Sequence, residues 1–137
     1  MKQLLILALV LVGCSTTPEC PKCGGGDGAF VKQFLPGELD LTQSKPLRHG
    51  PLELNQQGDG NLVLYKEGQP LWASGRADIN CDPDCVTNFQ GDGNLVQYAW
   101  GHPSWSTMTV GATLLEVRDR SPFIKIYKDN NVLWDSD

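Results

Sequence analysis

Histidine is scarce in this chain: there are two among 137 residues, His49 and His102. Both sit in turns flanked by proline and glycine, with no nucleophile–base pattern around them. General acid–base and nucleophilic chemistry lack their usual carriers, so an enzyme is the least expected class. Positive charge is also in deficit, with 11 Lys and Arg against 16 Asp and Glu, a net of -5. Such a surface has no electrostatic reason to bind nucleic acid or an anionic membrane. Helical periodicity is missing: no stretch after residue 30 spaces its apolar residues by three to four. A long apolar run is missing as well. The unbroken run Leu4 to Val12 has nine residues, too short to cross a bilayer as a helix.

That short run suits a secretory signal instead, with Lys2 as its positive start. It ends in Leu11-Val12-Gly13-Cys14, which resembles a bacterial lipobox. The resemblance implies removal of residues 1–13 and lipidation of the Cys14 thiol; a plain signal peptide and an uncleaved anchor are the other readings. Several acyl chains, at about 0.8 kcal/mol per buried CH₂, would hold the protein on a membrane through that anchor only. Ser15 follows Cys14 in place of the Asp associated with inner-membrane retention in Gram-negative cells. The expected location is therefore the bacterial cell envelope, at the outer membrane. The stretch "STTPECPKCGGGDGAF" is rich in Pro, Gly and small polar residues and reads as a flexible tether. The expected organisation is a signal at 1–13, a lipidated tether at 14–29 and one folded domain at 30–137.

Without Cys14 the chain keeps Cys20, Cys23, Cys81 and Cys85, an even number. An exported protein lives where disulfides persist. The CxxC and CxxxC pairs could each close locally, and a Cys81–Cys85 bridge would pin a loop. A four-thiolate zinc site is the sharper alternative, which export disfavours. No metal or cofactor is expected.

Three units repeat in the remainder. Tyr65, Tyr98 and Tyr127 each stand seven positions before a tryptophan: Trp72, Trp105 and Trp134. Each tryptophan carries a similar tail, Trp72-Ala-Ser, Trp105-Ser-Thr and Trp134-Asp-Ser. Each unit reads as three short strands: "LELNQ", "NLVLY", "PLWAS"; then "VTNFQ", "NLVQY", "PSWST"; then "TLLEV", "FIKIY", "NVLWD". The expected architecture is all-β, with three small antiparallel sheets packed around an axis. None of the sheets could bury its apolar face alone. The three tryptophans are the expected fillers of the shared centre.

Two units also share a polar phrase. "QGDGNLVLY" supplies Gln57, Asp59, Asn61, Val63 and Tyr65, and "QGDGNLVQY" supplies Gln90, Asp92, Asn94, Val96 and Tyr98. If extended, each set of five lines one strand face, leaving Leu62 and Leu64 toward the core and Gly58 and Gly60 bare. Such a face offers a carboxylate, two amides, a phenol and a small apolar patch. That mixture suits a sugar, which presents vicinal hydroxyls and apolar C–H faces, and it contains nothing that activates a nucleophile. The competing reading makes Gln-Gly-Asp-Gly-Asn a turn leading into the strand. Calcium is a weaker candidate, because the phrase lacks the third oxygen ligand and distant Glu of an EF-hand loop.

Gln-x-Asp-x-Asn-x-Val-x-Tyr resembles the signature of the bulb-type, monocot mannose-binding lectins, and both phrases match at all five positions. The opening "FLPGELDLTQSKPLRHGPLELNQQ" is similar to the family's first strands, so the resemblance covers about residues 34–137. It implies a β-prism II of three sheets with pseudo-threefold symmetry. It also implies one mannose site per intact motif, with Asp, Asn and Gln on the 2- and 3-hydroxyls, Tyr on the 4-hydroxyl and Val on the ring. In the third unit Asp119, Ser121, Phe123 and Lys125 replace Gln, Asp, Asn and Val, leaving only Tyr127, and Pro122 lacks a ladder donor. Two live sites are expected, for a mannose-containing glycan or polysaccharide. Some relatives exchange C-terminal strands to dimerise; here the 30–42 segment is expected to help close the prism, with the oligomeric state left open. The competing classes are an envelope structural or protein-interaction module that does not use its motif, and a lectin-like bacteriocin.

Overall fold

The computed structural model describes residues 30–137. The expectations for the signal, Cys14, the tether, Cys20 and Cys23 fall outside the described residues. Twelve strands follow in order: β1 Val31–Phe34, β2 Leu39–Thr42, β3 Leu47–His49, β4 Leu52–Gln56, β5 Leu62–Lys66 and β6 Gln69–Ala73, then β7 Cys85–Phe89, β8 Leu95–Ala99, β9 His102–Ser106, β10 Leu114–Arg118, β11 Ile124–Lys128 and β12 Asn131–Asp135. His49 and His102 occupy strand ends rather than the turns beside them.

These strands make a β-prism II of three antiparallel four-stranded sheets: sheet one β3-β4-β5-β6, sheet two β2-β7-β8-β9 and sheet three β1-β10-β11-β12. The nine strands of the repeats supply three per sheet. The fourth comes each time from the opening segment, which visits sheet three, then two, then one. Residues 30–42 thus complete sheets three and two within one chain. Turn chemistry between strands is local: Glu67 and Gly68, at φ 50° and 79°, link β5 to β6 with the positive φ values of a type I′ hairpin.

Period-2 burial fixes which faces meet. Leu52, Leu54 and Gln56 of β4, Thr87 and Phe89 of β7, and Leu115 and Val117 of β10 point inward, with Leu62 and Leu64, Leu95, and Ile124 and Ile126 beside them. The inner faces of all three sheets share one apolar core. Leu64 is 0% exposed, so Leu64→Ala would cost about 2–5 kcal/mol.

The tryptophans are not the centre of that core. All three are half-buried and pack against it from the edge strands. Trp105 and Trp134 meet edge to face at 5.9 Å, joining sheets two and three, and Trp72 Nε1 donates to the Ser136 carbonyl at 3.2 Å, joining one and three. An indole carries a polar N–H that needs a partner, and the seam supplies one where a central cavity would not. Their tails have a separate task. Ser74 Oγ and Thr107 Oγ1 accept from the N–H of Leu62 and Leu95, the first residues of β5 and β8, and Ser136 Oγ accepts from Ile124 at the start of β11.

Candidate carbohydrate site

The polar phrase is not extended throughout. Residues 57–60 form the β4–β5 turn, and residues 90–93 the β7–β8 turn; only Val63 and Tyr65, or Val96 and Tyr98, lie in strand. Gly60 and Gly93 sit at φ 94° and 86°, which an L side chain rarely adopts. A Cβ on Gly60 would also stand 2.8 Å from the Arg76 carbonyl, and one on Gly93 would strike the Ala112 backbone. The face beside Gly58 is covered rather than bare, since Gln43 and Asp82 pack against it. The turn reading therefore accounts for the glycines. It also accounts for part of each polar side chain.

Each motif side chain divides its atoms between the scaffold and the outside. Asp59 Oδ1 accepts from the Asn61 N–H, and Asp92 Oδ1 from the Asn94 N–H, both at 2.9 Å. Asn61 Oδ1 accepts from Ser74 Oγ and from the N–H groups of Gly75 and Arg76. Asn94 Oδ1 accepts from Thr107 Oγ1 and the Thr109 N–H. Gln57 Nε2 donates to the Tyr65 hydroxyl oxygen at 2.9 Å, and Gln90 Nε2 to that of Tyr98. What remains in each unit, without a protein partner among the described residues, is Asp Oδ2 and Gln Oε1 as acceptors and Asn Nδ2 and the Tyr O–H as donors.

The two sites are not equally open. Turn one is half-buried beneath residues 74–85, where the Asp59 carbonyl accepts from the N–H groups of Ile79 and Asn80. A Cys81–Cys85 disulfide pins the C-terminal end of that segment, and Cys85 Sγ touches the Gly58 carbonyl at 3.4 Å. A disulfide sulfur has no hydrogen to donate, so this is packing. In unit two Asp92 is exposed, and its carbonyl accepts from the Gly111 N–H. Gln90, Asn94, Val96 and Tyr98 line an open concavity of about 410 Å³ walled by Ser104 and Trp105 of β9. Asp92 lines the neighbouring hollow, which shares Gln90. Val63 and Val96 are only 5% and 4% exposed, so the apolar patch is small.

Sequence reasoning missed one residue beneath the sites. Gln97 occupies the position of Leu64 and Ile126, and its amide donates to the Gly60 carbonyl of turn one and to Gln56 Oε1. Thr87 also donates to Gln56. Sheet two therefore holds the floor of site one. A glutamine in an otherwise inward apolar position was the available signal.

The third sheet has spent its equivalent groups. Asp119, in the place of Gln57, pairs with Lys66 of β5 at 2.9 Å. Burial opposes its ionisation, but the Lys66 hydrogen bond, a backbone hydrogen bond at Phe30 and the Lys66 and Arg120 charges together outweigh it and hold the carboxyl below its ordinary value of 3.8. Tyr127 donates to Glu116 Oε2 at 2.9 Å, and the Lys125 ammonium lies 5.4 Å from its ring centre. Burial, then that bond to Glu116, pushes the Tyr127 phenol up. Pro122 falls in the β10–β11 turn, outside the ladder, so its missing donor costs the sheet nothing. Among the described residues no group of three or more His, Cys, Asp or Glu is placed to hold a metal ion.

No family model matches the sequence, and no curated protein matches it. Solved structures do. A monomeric monocot mannose-binding lectin from Gastrodia elata is similar at 28% identity, over 77% of this chain and 94% of that one, with a TM-score of 0.55. The mannose-specific agglutinin of snowdrop (Galanthus nivalis) bulbs, complexed with methyl-α-D-mannoside, is similar at 26% identity over 77% and 93%, TM-score 0.53. The Polygonatum cyrtonema lectin, complexed with monomannoside, is similar at 28% over 77% and 92%, TM-score 0.52.

Proposed function

We propose that this protein is a carbohydrate-binding lectin with two sites for mannose-type sugars, one on each intact motif. The division of atoms within the motif carries the reading. In both units one polar atom of Asp and Asn is held by the scaffold and one of Gln by the motif tyrosine, and the second atom of each is left without a protein partner among the described residues. A vicinal diol needs acceptors and donors of that kind side by side. Asp Oδ2 accepts from sugar hydroxyls, Asn Nδ2 donates, Gln Oε1 accepts and Tyr donates. Sites fixed before the ligand arrives lose little freedom on binding. The mannose complexes of similar bulb lectins support the same choice of sugar. The reading is non-enzymatic: the groups bind and orient hydroxyls, and none of them takes a proton or forms a bond.

We further propose that the domain is carried on the bacterial envelope by a lipid on Cys14, facing a glycan that the tether lets it reach. Cys14→Ser should release the protein from the membrane fraction or leave it unprocessed; unchanged fractionation and mass refute the anchor.

One observation favours a second reading. Asp and Asn also build the turn, so a structural or protein-interaction module could retain them unused. Titration with methyl α-mannoside, followed by amide NMR, separates the two. The lectin reading expects two sets of shifts, centred on Gln57–Tyr65 and Gln90–Tyr98, at about millimolar affinity, or roughly -4 kcal/mol. Silence of a folded protein toward mannosides and a broad glycan array favours the module.

A further inference from the structure

The outward row of sheet one continues beyond the motif. Register places Arg48 of β3 opposite Glu53 of β4, and Glu53 opposite Tyr65 of β5. Residues directly opposite share a face, so the three stand side by side. Arg48 Nε donates to Glu53 Oε2 at 2.9 Å, and Asn55 Nδ2 donates to Glu53 Oε1 at 2.7 Å. Glu53 is thereby held between two donors. With Pro51 and Glu67 these side chains surround a concavity of about 480 Å³, within the range of roughly 300–1,000 Å³ of small-molecule sites. Tyr65 belongs both to this concavity and to the motif, through its bond from Gln57.

Sheet two has nothing comparable in that row. There the register runs Thr42, Val86, Tyr98. The charged pair is a property of site one alone, since sheet three places Leu114 opposite Tyr127.

We propose that the Arg48–Glu53–Asn55 concavity is a second sugar subsite, which takes the neighbouring glycosyl unit of an oligosaccharide whose terminal unit sits on the Gln57–Tyr65 motif. Site one is thus selective for a longer glycan than site two. The inference rests on the lectin reading. Its ligand is neutral and hydroxyl-rich, because one cation faces the carboxylates of Glu53 and Glu67 and an anionic sugar would meet excess negative charge. The terminal amino groups of Arg48 donate to hydroxyls, and Asn55 Oδ1 and the remaining lone pairs of Glu53 accept. The Arg48 side chain is 71% exposed, open to such a contact.

The test compares methyl α-mannoside with the α-linked mannobioses on the whole protein, reading the amides of each site separately. A charge-assisted hydrogen bond corresponds to about tenfold or more in affinity. At least one mannobiose should bind site one about tenfold tighter than the monosaccharide, against no more than about twofold at site two. An Arg48→Thr/Glu53→Val variant copies the row that sheet two already folds with, and should reduce the site-one ratio to that of site two. The reciprocal Thr42→Arg/Val86→Glu variant should raise the ratio at site two. Monosaccharide binding with equal ratios at both sites overturns the subsite and leaves the lectin reading standing. Absence of any mannoside binding at a folded protein overturns both.

Discussion

The sharpest test of the site is Asp59→Asn with Asp92→Asn. Each aspartate has two distinct oxygens. Oδ1 accepts from a backbone N–H two residues on at 2.9 Å, and Oδ2 has no protein partner among the described residues. Asparagine keeps an oxygen for the first bond and puts an NH₂ where the ligand acceptor was. Stability should hold, because the turn bond survives. Binding should fail, because a charge-assisted bond of roughly 1.5–3 kcal/mol is lost and a donor now faces sugar hydroxyls. From a starting affinity near millimolar, that moves Kd by about 10- to 150-fold, beyond practical titration. Asp→Ala is a poorer probe, since it removes the turn bond too. At about 0.5–1.5 kcal/mol per bond, each alanine should lower Tm by several degrees, given about 4–8 °C per kcal/mol in a domain near this size. The assay is thermal unfolding of parent, Asn pair and Ala pair, each with and without methyl α-mannoside. Ligand should raise the parent's midpoint by mass action and leave both variants unmoved. A parent-like ligand shift in the Asn pair refutes the assignment of Oδ2 to the sugar, and collapse of the Asn pair refutes the division of the carboxylate.

Lys66→Met strips the partner from Asp119, whose side chain is 7% exposed against 35% for Lys66. The loss should fall between the ~0.2–1 kcal/mol of a surface pair and the ~3–5 kcal/mol of a fully buried one, about 2 kcal/mol, in urea unfolding at neutral pH. Because the folded Asp119 pKa is depressed, its contribution is present above the ordinary 3.8 and is lost as pH falls through the lower folded value; parent and Asp119→Asn stabilities should therefore converge in acid, and a gap unchanged from pH 7 to pH 2 counts against the pairing. Cys81→Ala/Cys85→Ala opens the loop over turn one, costing about 2 kcal/mol for so short a loop. It should weaken mannoside binding at Gln57–Tyr65 while leaving the Gln90–Tyr98 amide shifts as in the parent; equal loss at both sites refutes the local lock. Trp134→Ala removes a half-buried seam residue, so about 2–3 kcal/mol is expected in denaturant unfolding, below the ~3–5 of full burial, and an unchanged midpoint would show that the seam is dispensable.

Strand positions were legible because burial on one face leaves a period of two, and all nine repeat strands fall within one residue of their sequence segments. The opening segment was legible only as a closing piece. Its distribution over three sheets in reverse order follows from long-range pairing, which no local pattern encodes. The phrase Gln-Gly-Asp-Gly-Asn reads equally as strand or turn in sequence, because alternation by two is also what a Gly-dotted turn shows. The positive φ of Gly60 and Gly93 decides for the turn, and glycine tolerates either sign. The tryptophans recur for a reason the sequence could not supply, since their half-buried seam position depends on which edge strands meet.

Sheet three is an internal control on the motif. Its β10–β11 turn has the same length as turns one and two, yet carries Asp119-Arg120-Ser121-Pro122-Phe123 in place of Gln-Gly-Asp-Gly-Asn. The hairpin forms regardless, and it keeps the register shift between Ile126 and Tyr127 that the other sheets place at Leu64/Tyr65 and Gln97/Tyr98. It also keeps the tail hydroxyl, with Ser136 Oγ accepting from the N–H groups of both Phe123 and Ile124. The scaffold therefore needs the tryptophan, the tail and the alternating apolar residues, and it can dispense with the polar phrase. Where the phrase is gone, the tyrosine hydroxyl donates to Glu116 on the outer face of the same sheet and the Gln position becomes an ion pair with Lys66. Where it is present, tyrosine and glutamine hold each other and keep a donor and an acceptor for something outside. A turn of this length forms in sheet three without Gln, Asp and Asn, and their retention in both other units supports the proposal that they serve a ligand.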